Sequence, residues 1–217
     1  MTNSSSSFII EKKTRLEELF QELERTKKIS VKDLASKVRQ IGFHCLRCGD
    51  CCTGNDNSVV VFPSEISRIT HVTGDCWLDT AEPPKEGEWD LDGNFHTLEW
   101  RLKKEKYSCN YFTSQGCMIY KVRPLLCRTY PFYLDRNILG FSECRGLGEK
   151  IGIEESESLA MLLVERTIKE IEEAIALIEK FDDFERGGGP SNKGTCIVHD
   201  SLGEHKIAWN FLDGFRK

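Results

Sequence analysis

The stretch Cys45-Leu-Arg-Cys48-Gly-Asp-Cys51-Cys52 places four thiols within eight residues. A run so rich in cysteine and turn residues is a poor helix and a poor strand, and Gly49 permits a turn closed to bulkier residues. Such a turn folds the backbone so that successive sulfurs converge, the arrangement a metal ion needs. The C-x2-C-x2-C spacing opens the bacterial ferredoxin run, where the sulfurs bind irons of a cluster and a distant cysteine supplies the remaining ligand. Zinc is the second reading. Its all-cysteine sites usually combine two C-x2-4-C knuckles, whereas the later cysteines, Cys109, Cys117, Cys127 and Cys144, stand singly. Neighbouring side chains diverge, so Cys51 and Cys52 do not easily share one tetrahedral metal. One of them serves a second metal or is simply buried.

Compartment decides how cysteines are read. The chain has 217 residues and ten cysteines. Its start has no basic segment followed by an apolar one, so no secretory signal is visible. No apolar run reaches the ~18 residues needed to span a bilayer. The expectation is a cytoplasmic protein that does not engage a membrane, with thiols kept reduced for metal ligation or catalysis. Disulfides remain the reading for a disulfide-rich intracellular hyperthermophile protein. A net charge of -5 argues against nucleic acid as a partner, because phosphate binding needs a basic surface. With 39% apolar and 30% charged residues, the composition fits a folded soluble chain.

The expected organisation is α+β: a small metal-organised core with short strands, flanked by N-terminal helices, a long C-terminal helix and a terminal hairpin. Residues 1–40 carry the N-terminal helices. After a disordered Ser-rich tip, Ile9, Leu16, Leu19, Phe20 and Leu23 recur at helical spacing over 8–28. Ser30 caps a second helix that Gly42 ends. Residues 41–148 form the cysteine-bearing domain, with a strand at Val59–Phe62 and a helix from Pro63 to about Val72. Residues 75–99, with eight acids against one lysine, read as a solvated excursion, overlapping a loose strand from His96 to Lys103. One or two helical turns follow Pro124, and a hairpin turns at Asp135-Arg136-Asn137. Residues 149–186 are a long amphipathic helix with a seam of Met161, Val164, Ile168, Ile171, Ile175 and Ile178. The nine bases and six acids of residues 1–40 suggest antiparallel pairing with this acidic helix. Residues 187–217 are a linker and a hairpin, with Cys196 and Cys76 as buried structural thiols.

The second half of the constellation is Cys109-Asn-Tyr-Phe, then Cys117-Met-Ile-Tyr-Lys-Val-Arg-Pro-Leu-Leu-Cys127-Arg-Thr-Tyr-Pro-Phe132. Together with Phe43-x-Cys-x-x-Cys-Gly-x-Cys-Cys, these segments resemble the YkgJ-type cysteine-cluster family, a zinc- or iron-chelating domain to which flagellin lysine N-methylases are related. The resemblance covers roughly residues 41–148. It implies eight metal-ligating cysteines: Cys45, Cys48, Cys51, Cys52, Cys109, Cys117, Cys127 and Cys144. The closing Cys144-Arg-Gly-Leu-Gly departs from the family's Cys-Pro-Gly-Ile-Gly by Arg145 in place of proline.

Residues 101–136 hold eight Lys and Arg against two acids. Positive charge nearby lowers cysteine pKa, and Arg123 and Arg128, which flank Cys127, are candidates to bond cluster sulfurs or an anionic substrate. The expected cofactor is a [4Fe-4S] cluster, with zinc as the alternative. Two function classes follow: a redox or metal-centre module, or an S-adenosylmethionine-dependent, cluster-assisted methyltransferase acting on lysine of a protein partner. Resemblance to the methylases carries the second; no catalytic residue is identified. Gly146-x-Gly-x-x-x-Gly152 is a turn rather than a cofactor loop, lacking a βαβ context. Gly189-Pro-Ser-Asn-Lys-Gly194-Thr has P-loop composition in the wrong order. His199 and His205 are expected to face each other across the terminal hairpin, near Cys196.

Overall fold

Ser30 sits where the chain leaves its first helix, and in the computed structural model its hydroxyl accepts a hydrogen bond from the Asp33 amide at 3.3 Å. This cap satisfies an N–H that the first turn leaves without a helical partner. The structure describes residues 3–54, 57–191 and 194–208. In chain order it contains α1 (Asn3–Thr26), α2 (Val31–Ile41), β1 (Val60–Val61), α3 (Pro63–Thr73), α4 (Trp77–Thr80), β2 (Ala81–Glu82), β3 (Glu88–Trp89), β4 (Phe95–Leu98) and β5 (Trp100–Leu102). The chain continues through β6 (Lys104–Glu105), β7 (Ser108–Cys109), β8 (Phe112–Thr113), β9 (Gly116–Cys117), α5 (Leu125–Thr129), β10 (Phe132–Asp135), β11 (Ile138–Phe141), α6 (Ile153–Lys180), β12 (Thr195–Asp200) and β13 (Gly203–Ala208). The class is α+β. The chain divides into two units: the described parts of Met1–Glu17, Val60–Lys103 and Glu173–Lys217, and of Glu18–Val59 and Lys104–Glu172.

The first of these, the sheet unit, is built on a four-stranded sheet in the order β13-β12-β4-β3. Here β12 runs parallel to β4 and antiparallel to β13. A second sheet, β1-β5-β2, is antiparallel. Trp100, Ile66, Ile69, Ala81 and Val198 are fully buried in this unit. In α3 the first residue is Pro63, whose missing N–H costs nothing there. Glu65 reaches back to accept from the Phe62 amide at 3.1 Å, one half of a capping box. Lys12 donates to the Glu179 and Phe181 carbonyls at 3.1 and 2.9 Å, a cation at the C-terminal end of α6.

The second, the cysteine unit, has a core of Leu34, Ala35 and Val38 from α2, Phe132 from β10, and Leu159, Ala160 and Leu163 from α6. Phe43 meets Phe132 edge-on at 5.7 Å between centroids. Arg166 donates to the Thr129 hydroxyl at 3.0 Å, tying α6 to α5. The hairpin β10–β11 pairs Asp135 with Ile138, so Arg136 and Asn137 alone make the turn. Both have positive φ, 47° and 65°, as a two-residue turn matched to strand twist requires.

Several expectations are corrected. The Ser-rich tip is helical from Asn3 onward. Ile9 and Phe20 of α1 are exposed rather than part of an apolar stripe. Residues 75–99 are not a solvated excursion: Thr80, Ala81, Phe95, His96 and Thr97 are buried, and four elements form there. Most of the buried positions come in consecutive runs, Thr80–Ala81, Pro83–Pro84 and Phe95–Thr97, between the acids. The α6 seam also slides. Met161 is exposed, and the buried positions are Ser156, Leu159, Ala160, Leu163, Thr167, Ile171, Glu173 and Ile175. Ser156, Ala160 and Thr167 are small or hydroxyl residues, which a hydrophobicity pattern does not register. Cys76 is exposed, its thiol donating to Asp79 at 2.8 Å, whereas Cys196 is buried as expected. The tail register pairs Val198 with His205 and His199 with Glu204, so the two histidines are not opposite one another. Trp209, Asn192 and Lys193 lie outside the described residues.

Candidate metal centre

All eight cysteines of the two Cys-rich segments lie in the cysteine unit: Cys127 within the short helix α5, the others on turns, loops and the ends of very short strands. Their local backbone is distinctive. Arg47, between Cys45 and Cys48, has φ 54°, and Gly49 has φ 84°. A Cβ at Gly49 would collide with the Phe112 ring, so glycine there is required twice over, by dihedral and by space. Cys51 and Cys52 sit in a 3₁₀ turn, Asp50–Cys52, with their sulfurs 4.0 Å apart.

Three thiols each receive a hydrogen bond from the amide two residues on: Cys109 from Tyr111, Cys117 from Ile119 and Cys144 from Gly146. An amide N–H aimed at sulfur favours the thiolate, the form that binds metal. Burial nevertheless lifts all three above the ordinary thiol range. Cys127 is pushed well up, first by burial and then by the charges of Cys109, Cys51 and Cys117. Cys51 is raised most by its hydrogen bond with Cys52, then by burial and the Cys52 charge. Thiolates gathered this closely repel one another, and a cation among them removes both the repulsion and the proton.

Arg123 supplies part of the positive charge, pulling Cys51, Cys117 and Cys127 downward. Its guanidinium lies 3.6 Å over the Tyr120 ring and donates to the Tyr120 and Cys127 carbonyls at 3.0 and 3.4 Å. Arg47 approaches the same ring at 4.5 Å. Tyr120 thus tethers a residue of the first cysteine turn to Arg123, a role no spacing rule pointed to. Arg128 is half-buried on α5, its amide bonded to Pro124. Arg145 pairs with Asp50 at 2.8 Å. His44 is exposed and engages the site through its backbone.

The donor set fits a thiophilic metal, and sulfur-rich ligation suits zinc or iron–sulfur chemistry. The thiols are neighbours rather than a closed shell: among the described residues, no group of three or more Cys, His, Asp or Glu side chains is arranged to hold one ion. The segment Gly146–Gly152 is a turn, as expected. Gly148 spends its amide on the Gly42 carbonyl, and a Cβ at Gly146 would collide with the His44 carbonyl.

Sequence reasoning missed a second polar group, in the sheet unit. His96 Nε2 lies 3.0 Å from Asp90 Oδ2, and His96 Nδ1 lies 2.8 Å from His199 Nε2. The Phe184 ring stacks on His96 at 3.7 Å. Burial alone would raise Asp90, but hydrogen bonds from Asn94 and His96 hold it down at about 2. Burial, and then His96, lowers His199. Nearby, Asp200 Oδ2 accepts from Trp100 Nε1 at 2.8 Å and lies 2.9 Å from His205 Nε2. His96 and His199 are 103 positions apart, and nothing in their local sequence marks them as partners.

Residues 44–161 match the family model CxxCxxCC, described as a "putative zinc- or iron-chelating domain". No curated protein and no solved structure gives a significant match to the chain. Among the described residues, no helix is long and apolar enough to cross a membrane.

Proposed function

Because the chain belongs to the CxxCxxCC family of zinc- or iron-chelating domains, we propose that its cysteines hold an iron–sulfur centre and that it serves as a cytoplasmic redox or metal-centre module. The carrying observation is the set of amide N–H bonds from Tyr111, Ile119 and Gly146 onto the sulfurs of Cys109, Cys117 and Cys144. Hydrogen bonds to cluster sulfurs tune reduction potential, and for Cys117 the Arg123 guanidinium acts in the same direction. Cys45, Cys48, Cys51, Cys52, Cys109, Cys117, Cys127 and Cys144 are the ligands in this reading. Arg123 offsets their negative charge and holds the Cys127 carbonyl in place, and Arg128 is available at the surface of α5 to an anionic partner. When bound, the cluster supplies one-electron transfer.

The C-x2-C-x2-C turn and the dispersed later cysteines favour a cluster over a zinc knuckle. Protein purified without oxygen is expected to be brown and to contain iron and acid-labile sulfide. A colourless protein with stoichiometric zinc would convert the reading to a structural zinc domain. No observation in the fold favours the methyltransferase class, since the amides of the glycine turn are engaged within the chain.

A further inference from the structure

In the sheet unit, the strap 181–188 that follows α6 crosses a buried histidine pair. Its residues 185–187 extend the β3 edge. Leu91 N donates to Glu185 O and Gly187 N donates to Trp89 O, both at 3.2 Å, around a bridge between Asp90 and Arg186. A Cβ at Gly188 would collide with the Asp90 carbonyl, so the strap is pressed against the β3–β4 turn. Phe184 of the strap stacks on His96, and Phe181 meets His199 edge-on at 4.9 Å between centroids. Both histidines are buried.

The partners of the pair fix its proton count. Asp90 is ionised and accepts from His96 Nε2, so in neutral His96 the Nδ1 atom is an acceptor. His199 Nε2 is then the donor across their 2.8 Å contact. That leaves His199 Nδ1 without a proton, 3.9 Å from Glu204 Oε1. One added proton fits there. A second has only His96 Nδ1 to go to, where two N–H groups would face each other and two imidazolium charges would lie side by side. We infer that His96 and His199 form a pH-sensitive clasp, whose double protonation below roughly pH 6 separates the rings and frees the strap from the β3–β4 edge. The carboxylates around the pair are Asp90 from the β3–β4 turn, Glu204 from β13 and Asp200 beside His199 on β12, the last also held by Trp100 and His205. The strap brings Arg186, which lies 4.7 Å over the Phe184 ring and pairs with Glu88 and Asp183. Asp90 keeps its charge down to about 2, and burial holds His199 below its ordinary value. The released state therefore binds two protons where the clasped state binds at most one, and each pH unit below the histidine range favours release by about tenfold.

Amide hydrogen exchange on the full chain reads the clasp directly. From about pH 7.5 to about pH 5.5 the protection factors of Leu91 and Gly187 are expected to fall by about tenfold or more. That of Ile66, whose amide donates to the Phe62 carbonyl at the start of α3, is expected to hold within about twofold. His199→Gln is expected to abolish the pH dependence. Its amide rotates either to donate to His96 Nδ1 or to accept from it through oxygen, so neither protonation state opposes closure. Unchanged protection at Leu91 and Gly187 in the unsubstituted chain, or an equal fall at Ile66, overturns the clasp, as does a His199→Gln variant that keeps the full response. If that variant does not fold, the histidine ring resonances of the unsubstituted chain decide. A coupled titration of His96 and His199 supports the clasp, and two independent titrations at the ordinary value of ~6.5 overturn it.

Discussion

The sheet unit and the cysteine unit treat their chemically active side chains in opposite ways. In the sheet unit, Asp90, His96, His199 and Asp200 are buried or nearly so, and they answer one another across strands. In the cysteine unit, five of the eight thiols are half-buried and three are exposed, and one of the half-buried ones, Cys127, is pushed far from its ionised form. A buried polar group needs a partner, and the first unit supplies it from the chain. In the second, amides bond the sulfurs of Cys109, Cys117 and Cys144, Cys51 and Cys52 contact each other, and Arg123 acts on three thiols through its charge. The difference leads to the expectation that a bound metal contributes more to the stability of the cysteine unit than to that of the sheet unit.

That contrast is most exposed to metal removal. Cys48→Ser is expected to lose most of the bound metal and, with it, the stability of the cysteine unit. Structural tetrathiolate binding is worth on the order of 10 kcal/mol; metal analysis with thermal melts measures this, and an unchanged melt would erase the contrast. In the core beneath the site, Phe132→Ala removes a fully buried ring and is expected to cost about 3–5 kcal/mol. Chemical denaturation of the metal-bound protein gives that figure, and a cost below 1 kcal/mol would mean the ring is not the keystone of α2–α6 packing.

His96→Ala should cost less, about 2 kcal/mol, by stranding His199 and weakening Asp90, and metal content should not change. A variant that also lost metal would show the two units are not chemically independent. The acid response tests the same network. Asp90 is held at about 2, below its ordinary 3.8, so it contributes stability above pH ~4 that is lost as pH falls through about 2. In Asp90→Asn this portion of the acid-induced decline should disappear from melts between pH 5 and pH 2; an identical decline would assign it to other carboxylates. The smallest effect is expected for Cys76→Ser. Its exposed thiol contacts only the neighbouring turn among the contacts described, so metal content should hold and stability should shift by no more than about 0.5 kcal/mol.

Much of the fold was legible because its signals are local. Ser30 and Gly42 bracket α2, Pro63 opens α3, and the two positive-φ residues at Arg136–Asn137 close the hairpin within a few residues of the hydrophobics they join. The stretch 75–99 was not legible, because its eight acids dominate the charge pattern while the buried residues, among them Thr80, His96 and Thr97, come in short runs with no strand periodicity. The α6 seam was misplaced for a related reason: Ser156, Ala160 and Thr167 are buried through packing and through hydroxyl bonds, as when Ser156 accepts from Arg39 at 2.8 Å. The His199–His205 facing failed on register, where a one-residue slip exchanges the faces of a strand.

By itself the sequence determined the inventory of the site: eight cysteines in two segments, a turn that only Gly49 permits, and the basic residues among them. Those follow from residue identity and short spacing, which chain geometry converts directly into local conformation. Tertiary structure alone decided which segments are zipped together, that Tyr120 is the tether between Arg47 and Arg123, and that Asp90, His96 and His199 meet. Such meetings depend on strand register and on loop closure over tens of residues, and no local rule encodes either.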